Sequence, residues 1–583
     1  MIVAAGLGVA ALALHTFRLG SAPVYLKYEE VYFALEARAI AATGHDTHGR
    51  LLPVYFQVFA NSWYQPVLVY ALAAVLKVLP LSEFAVRLPS AIAGAVDVVL
   101  MYGIGLRVFG RRSSAIGAAL LLMLTPAHFI ESRVAMDYLY PVPFAMAWLL
   151  LFVMFWQDRK PWQLFLATTC LGVGFFSYAA AIALMPLYLL LTLVAIGGAD
   201  RDRLKSGVVA VGGFLAPLAI ALPFLARHPE YLEAQINRYG PGSAGGLDVL
   251  QRVRELFSWV NVGAHVDQYV DFFSPGYLFM TGGANPVDST GYAGVFLMPV
   301  VVCLAVGIYQ AARQRSMVTR LLLAGFLTAP LAALAVPERR AVDRELVILP
   351  FGVLLAQIGL EALWSARYDH RLRRPVGIAS IVVAAAAVAY AIRRLAAGSG
   401  FPRSVVPLCL ALLVIWAAAA WAQETRRWRP IVAVLLAAAV GQFAWFWGDY
   451  FGDYRARTAG HFGRNVRGAL EDVLAREPRG RVVPIYLTAD AAHIDYYWRF
   501  YAAKADRPDL AEVPAYVDAS KGFDLAGVPP HALIVLPSDG RVPPAGRSEL
   551  RRIRTIVEPD GTPSFDVFER VPDGEAENAS GRD

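Results

Sequence analysis

The sequence predicts a polytopic, all-helical membrane protein that carries a small α/β domain at its C-terminal end. Three observations lead there. Of 583 residues, 57% are hydrophobic and only 17% charged, far from the balance of soluble domains. Apolar runs near the roughly 20 residues needed to cross a bilayer recur about thirteen times before Asp449. After Asp449 the pattern changes to short apolar runs, Val482–Thr488, Ala532–Pro537 and Ser564–Val571, set around a helix-like Ala491–Ala503 and several Pro/Gly turns.

The expected layout is a membrane domain over 1–448, a soluble α/β domain over 449–571 and a polar, disordered tail over 572–583. The first segment, Ile2–Leu19, has no basic start and reads as an anchor. Basic residues gather in alternate loops: Arg107, Arg111 and Arg112, then Arg159 and Lys160, then Arg313, Arg315 and Arg320. The positive-inside rule makes that side cytoplasmic, with Arg393, Arg394 and Arg403 as exceptions. Loops 21–85, 131–138 and 226–291 and the C-terminal domain then lie outside the cytoplasm. The net charge of +7 sits in these short loops, so it is no nucleic-acid signal. Cys170, Cys303 and Cys409 lie apart in apolar segments and imply no disulfide framework or cysteine metal site.

The first loop carries two adjacent carboxylates, Glu29 and Glu30, directly after an apolar segment. Ala34, Leu35, Ala37, Ile40 and Ala41 recur at helical spacing, which predicts an amphipathic helix over Glu30–Ala42. Thr43-Gly44 ends it, with glycine available for a left-handed cap. At a helix start such a pair either presents a base to a lipid-borne substrate or simply favours the dipole. A second helix, within Tyr64–Leu81, has Pro66 in its first turn and reads as lying at the membrane surface. Arg133 and Asp137, in the second outer loop, are either site residues or an i,i+4 pair closing a helix. Arg339, Arg340 and Arg344 crowd a later one and suit either a phosphate or anionic headgroups. His45, His48, His228 and His265 fit no ligand spacing, so no metal site is assigned. The run Tyr496–Tyr501 reads as a helix packed on the sheet or the bilayer interface.

The segments Glu29-Glu30, Leu35-Glu36-Ala37-Arg38, Thr43–Gly49 and Leu52–Phe56 resemble the first outer loop of the GT-C glycosyltransferases, in the branch of protein mannosyltransferases and aminoarabinose transferases. Tyr64-Gln65-Pro66, Glu83–Ala91 and Gly110-Arg111-Arg112 extend the resemblance, as do Phe273-Ser274-Pro275 and Arg344 with Pro350. The resemblance implies a GT-C fold and inverting transfer of a hexose or pentose. The donor would be a polyprenyl-phosphate carrier, and the acceptor a hydroxyl of a protein, lipid or polysaccharide at the outer face of a bacterial inner or plasma membrane. It places Glu29 as general base, Glu30 as the orienter of Glu29 or of the sugar, and Asp137 as a second carboxylate for the acceptor or a cation. Arg344, Arg133 and Arg340 would hold the carrier phosphate, and Tyr64, Gln65 and Tyr239 would line the substrate loop. The resemblance assigns no definite cofactor, and a divalent cation is compatible with it. Two departures stand out: the family has aspartate where Glu29 stands, and a histidine where Ala341 stands. The rival readings are a secondary transporter or lipid-sugar flippase, and a GT-C homologue with weakened catalysis. The chain has no internal repeat, and its charges sit at span ends, which speaks against a transporter.

Overall fold

The computed structural model describes the chain apart from residues 59–61, 200–201, 229–230, 232–258, 315, 336–337, 366–428 (save Ile378, Ala385 and Ile392), 477–482, 519–524, 526, 539–548 and 573–583. Seven described helices are long and apolar enough to cross a bilayer: Glu83–Phe109, Asp137–Asp158, Ala181–Gly198, Arg203–Arg227, Met317–Leu334, Ile348–Ser365 and Arg429–Phe451. Shorter apolar helices include Ile2–Thr16, Arg112–Met123 and Val300–Gln314. The expected spans near 374–392 and 404–423, and the tail, lie outside the described residues.

The chain divides into two compact units. One comprises Met1–Phe17, Pro53–Leu68 and Ser90–Asp449; the other comprises Arg18–Leu52, Val69–Pro89 and Tyr450–Asp583.

In the first unit, small residues let helices approach closely. A Cβ on Gly307 would fall 1.7 Å from the Leu355 carbonyl oxygen, and one on Gly359 would fall 1.8 Å from that of Cys303. Glycine is therefore required where Val300–Gln314 crosses Ile348–Ser365. The hairpin β1 (Phe56–Val58) and β2 (Ser62–Tyr64) pairs antiparallel. Beside it Tyr55 stacks on Tyr231 at 4.2 Å, within a cluster that includes Trp63, Phe176 and Phe224.

In the second unit, the first-loop helix runs from Tyr28 to Thr43 and closes on Gly44 at φ 76°, as expected of a glycine cap. It is not the amphipathic helix its apolar spacing suggested, because Glu30 and Glu36 are among its buried residues. The C-terminal sheet has the order β4-β3-β5-β7-β6, with β3 Ile485–Thr488, β4 Ala515–Val517, β5 Leu533–Pro537, β6 Leu550–Val557 and β7 Pro563–Arg570. β3 is parallel to β4 and β5, and β7 is antiparallel to β5 and β6. β6 went unread because Arg551, Arg552 and Arg554 interrupt its alternation. Such charges belong to an edge strand that must not recruit another chain. The aromatic run packs the helix Ile494–Lys504 on the first-loop helix. Tyr496 meets Tyr32 edge-on at 5.7 Å, His493 stacks on Tyr28 at 4.3 Å, and the Tyr497 hydroxyl donates to the Leu26 carbonyl at 2.8 Å.

Candidate active site

In the second unit, the two adjacent glutamates have different surroundings. Glu30 is fully buried and forms an ion pair with Arg87, whose Nε and Nη2 donate to its two carboxylate oxygens at 2.9 and 3.1 Å. Its Oε2 also accepts the backbone N–H of Lys27 at 2.9 Å, which caps the helix start. The same guanidinium donates to the carbonyls of Leu19, Pro23 and Tyr25, so it fixes the chain entering the helix. Glu30 thus has its lone pairs occupied. Glu29 does not. Its nearest cation is Lys27 Nζ at 3.9 Å, its side chain is only 12% exposed, and its Oε2 is shut off from solvent without a hydrogen bond among the described residues. A carboxylate oxygen that is buried yet unsatisfied is poised to accept a proton or a donor. Beside the pair, burial and then the charges of Glu30 and Glu29 push the Tyr497 phenol far above its ordinary value, so it stays a neutral donor.

The loop after the helix is held from inside. Glu36 accepts from the Tyr32 hydroxyl at 2.9 Å, from the Thr47 backbone N–H at 3.0 Å and from the Thr47 hydroxyl. Asp46 accepts from the backbone N–H groups of His48 and Arg50 and pairs with the Arg50 guanidinium at 2.7 Å. These bonds explain the Thr43–Arg50 pattern as a folded turn. His45 and His48 instead bond locally, to the Thr43 carbonyl and the Thr47 hydroxyl. Among the described residues no three His, Cys, Asp or Glu side chains gather in a way that could hold a metal ion.

In the first unit, two one-turn helices, Asp137–Leu139 and Val342–Arg344, pack on each other. The Tyr138 ring meets Tyr178 edge-on at 5.2 Å, and the Tyr178 hydroxyl donates to Asp343 Oδ2 at 3.2 Å. Arg344 Nε lies 3.8 Å from that same oxygen, with its side chain 20% exposed. Glu345 is buried and accepts from the Tyr277 hydroxyl. Burial pushes its carboxyl well above the usual carboxylate range, against the lowering by Tyr277.

Arg340 is held bidentately by Asp271 at 2.8 and 2.9 Å. Arg133 is fully buried, and its guanidinium donates to the carbonyls of His15 at 2.6 Å and Phe17 at 2.8 Å, which closes the end of the helix Ile2–Thr16. The segment after Pro126–Glu131 is not helical between Arg133 and Asp137. Gln65 is buried, with Oε1 lacking a hydrogen bond among the described residues, next to the half-buried Tyr64. Tyr239 lies outside the described residues. Sequence reasoning missed Glu36, Arg87, Asp343 and Glu345 as site-builders. The acidic flanks of Arg344, in Asp343-Arg344-Glu345, were a visible signal.

The family model described as Dolichyl-phosphate-mannose-protein mannosyltransferase matches residues 64–226. No curated protein matches the sequence. The structure of ArnT from Cupriavidus metallidurans in the apo state aligns over 97% of this chain and 98% of that one, at TM-score 0.57 and 15% identity. The same protein bound to undecaprenyl phosphate aligns over 98% of both chains, at TM-score 0.54 and 15% identity. The fold is that of the ArnT structures.

Proposed function

We propose that this GT-C-fold membrane protein is an inverting glycosyltransferase. It would move a hexose or pentose from a polyprenyl-phosphate carrier to a hydroxyl of a protein, lipid or polysaccharide on the extracytoplasmic face. The observation that carries the reading is the division between the two glutamates: Glu30 is locked by Arg87, while Glu29 keeps a buried carboxylate oxygen with no hydrogen bond among the described residues. In the reaction Glu29 takes the proton of the acceptor hydroxyl as its oxygen bonds to the anomeric carbon. The bond from that carbon to the phosphate oxygen breaks on the opposite face, and the configuration inverts. Arg344 receives the charge that develops on the leaving phosphate, where fixed positive charge acts most strongly. Glu30 positions Glu29. The undecaprenyl phosphate bound by ArnT supports the choice of carrier, and the mannosyltransferase match over 64–226 supports the reaction class. Glutamate in place of the family's aspartate lengthens the base by one methylene, which the pocket must accommodate, since misplacement by about 1 Å costs on the order of a hundredfold.

The test is transfer from a labelled polyprenyl-phosphate sugar by the purified full-length protein. Glu29→Gln keeps shape but cannot take the proton, so turnover falls by about a hundred- to ten-thousandfold. Glu29→Asp retains part of the activity. Near-normal turnover by Glu29→Gln removes it as the base.

A further inference from the structure

A cavity of about 570 Å³ lies where five helix ends meet, at the opposite end of the bundle from Arg344. Its wall includes Arg107, Gln157, Gln310, Gln314, Ser316 and Glu361. Arg344 precedes the helix Ile348–Ser365 and Glu361 lies in its last turns, so roughly 20 Å of helix separates them. The basic loops at Arg111–Arg112, Arg159–Lys160 and Arg313 adjoin the same helix ends.

Two charges in this wall are poorly answered by the protein. Glu361 Oε1 is closed off from solvent and accepts no hydrogen bond among the described residues. The guanidinium of Arg107 lies 3.7 Å from Asp158 and 3.4 Å from the Gln157 side-chain oxygen, long contacts between half-exposed groups that solvent largely screens. The cavity therefore offers one carboxylate, one guanidinium and several amides at the depth where spans end and headgroups begin. A net anionic ligand satisfies Arg107 but faces Glu361. A ligand with both charges satisfies each: its phosphate accepts from the guanidinium fork, and its ammonium gives up to three hydrogen bonds to Glu361 and the amide oxygens. We propose that this cavity binds the headgroup of a phospholipid carrying both a phosphate and a primary ammonium, as in phosphatidylethanolamine.

The experiment is native mass spectrometry of the full-length protein, delipidated and then supplied with phosphatidylethanolamine and phosphatidylglycerol in equal amounts. Wild type retains the ethanolamine lipid about tenfold better, the ratio that one charge-assisted hydrogen bond supplies. Glu361→Gln brings the ratio close to one, and Arg107→Gln lowers retention of both lipids, each checked for an unchanged unfolding temperature. Millimolar inorganic phosphate leaves the ethanolamine lipid in place. Equal retention by wild type overturns the proposal without recourse to any variant. So does a ratio that Glu361→Gln leaves unaltered, or displacement by inorganic phosphate, which makes the cavity a simple phosphate site.

Discussion

Arg87 and Glu30, 57 positions apart in the chain, form a doubly hydrogen-bonded ion pair with 1% and 0% of their side chains exposed. The same guanidinium also holds three backbone carbonyls, so it joins the start of the first-loop helix to the segment that feeds it. A fully buried pair of this kind is weak evidence for net stabilisation, since desolvation opposes the attraction. Removing one partner is a different matter, because it leaves a buried charge uncompensated.

The first prediction follows. Arg87→Ala destabilises the full-length protein by about 3–5 kcal/mol, and Glu30→Gln by less, because the glutamine oxygen still accepts one hydrogen bond. Thermal unfolding in detergent checks the order. A milder effect from Arg87→Ala than from Glu30→Gln contradicts the assignment of Arg87 as the organiser.

Glu36 gives a second prediction. Burial and then the Glu36 carboxylate hold the Tyr32 phenol far above its usual value, so it donates throughout the working pH range. Thr47→Val deletes the hydroxyl donor but keeps the backbone one, and lowers stability by about 1.5–3 kcal/mol. Glu36→Ala orphans the Thr47 N–H, the Thr47 hydroxyl and the Tyr32 hydroxyl and lowers it further. Hydrogen exchange at the Thr47 amide reports the difference: it speeds strongly in Glu36→Ala and only slightly in Thr47→Val.

The third prediction concerns pH. Asp472 accepts from Arg476 at 2.7 Å and from Arg554 at 2.8 Å, which ties the helix Val466–Arg476 to the edge strand β6. Burial alone raises its carboxyl, but the hydrogen bonds and charges of the two arginines outweigh burial and hold it below the ordinary range. The folded pKa is then lower than the unfolded value of about 3.9. The stabilisation is present above that value and is lost as pH falls through the folded one. The gap in unfolding temperature between wild type and Asp472→Asn is therefore widest near neutral pH and closes on acidification below about pH 4. A gap that stays constant across this range rules out the linkage.

What the sequence made legible was local. The apolar runs marked the spans, Gly44 marked the end of the first-loop helix, and three of the five sheet strands stood out by their apolar character. Periodicity could not reveal that Glu30 and Glu36 point inward, because the residues that make this tolerable lie elsewhere: Arg87, and Thr47 on the returning loop. Nor could it join Tyr497 to Leu26 across 471 positions. At the site, Glu29 was legible as one of a pair, but only the bonds made by Glu30 distinguish it from its neighbour.

The last prediction concerns Arg344, which in the proposed reaction carries the donor phosphate. Its Nε stands 3.8 Å from Asp343 Oδ2, and the same oxygen is held by the Tyr178 hydroxyl. The tyrosine thus fixes the carboxylate, and the carboxylate biases the guanidinium beside it. Arg344→Ala removes both charge and fork. A charge-assisted hydrogen bond of about 1.5–3 kcal/mol corresponds to a rise in donor KM of roughly ten- to a hundredfold. Arg344→Lys keeps the charge but not the bidentate geometry and falls between. Asp343→Asn and Tyr178→Phe act through Arg344: each raises donor KM severalfold while kcat at saturating donor changes little, which a merely structural role would not separate. Steady-state transfer at varied donor concentration, with acceptor fixed, distinguishes these cases. Wild-type donor saturation in both Arg344 variants takes this arginine out of the site. It would leave the phosphate to a cation not yet committed elsewhere, since Arg340 is held by Asp271 and Arg133 by the end of the first helix.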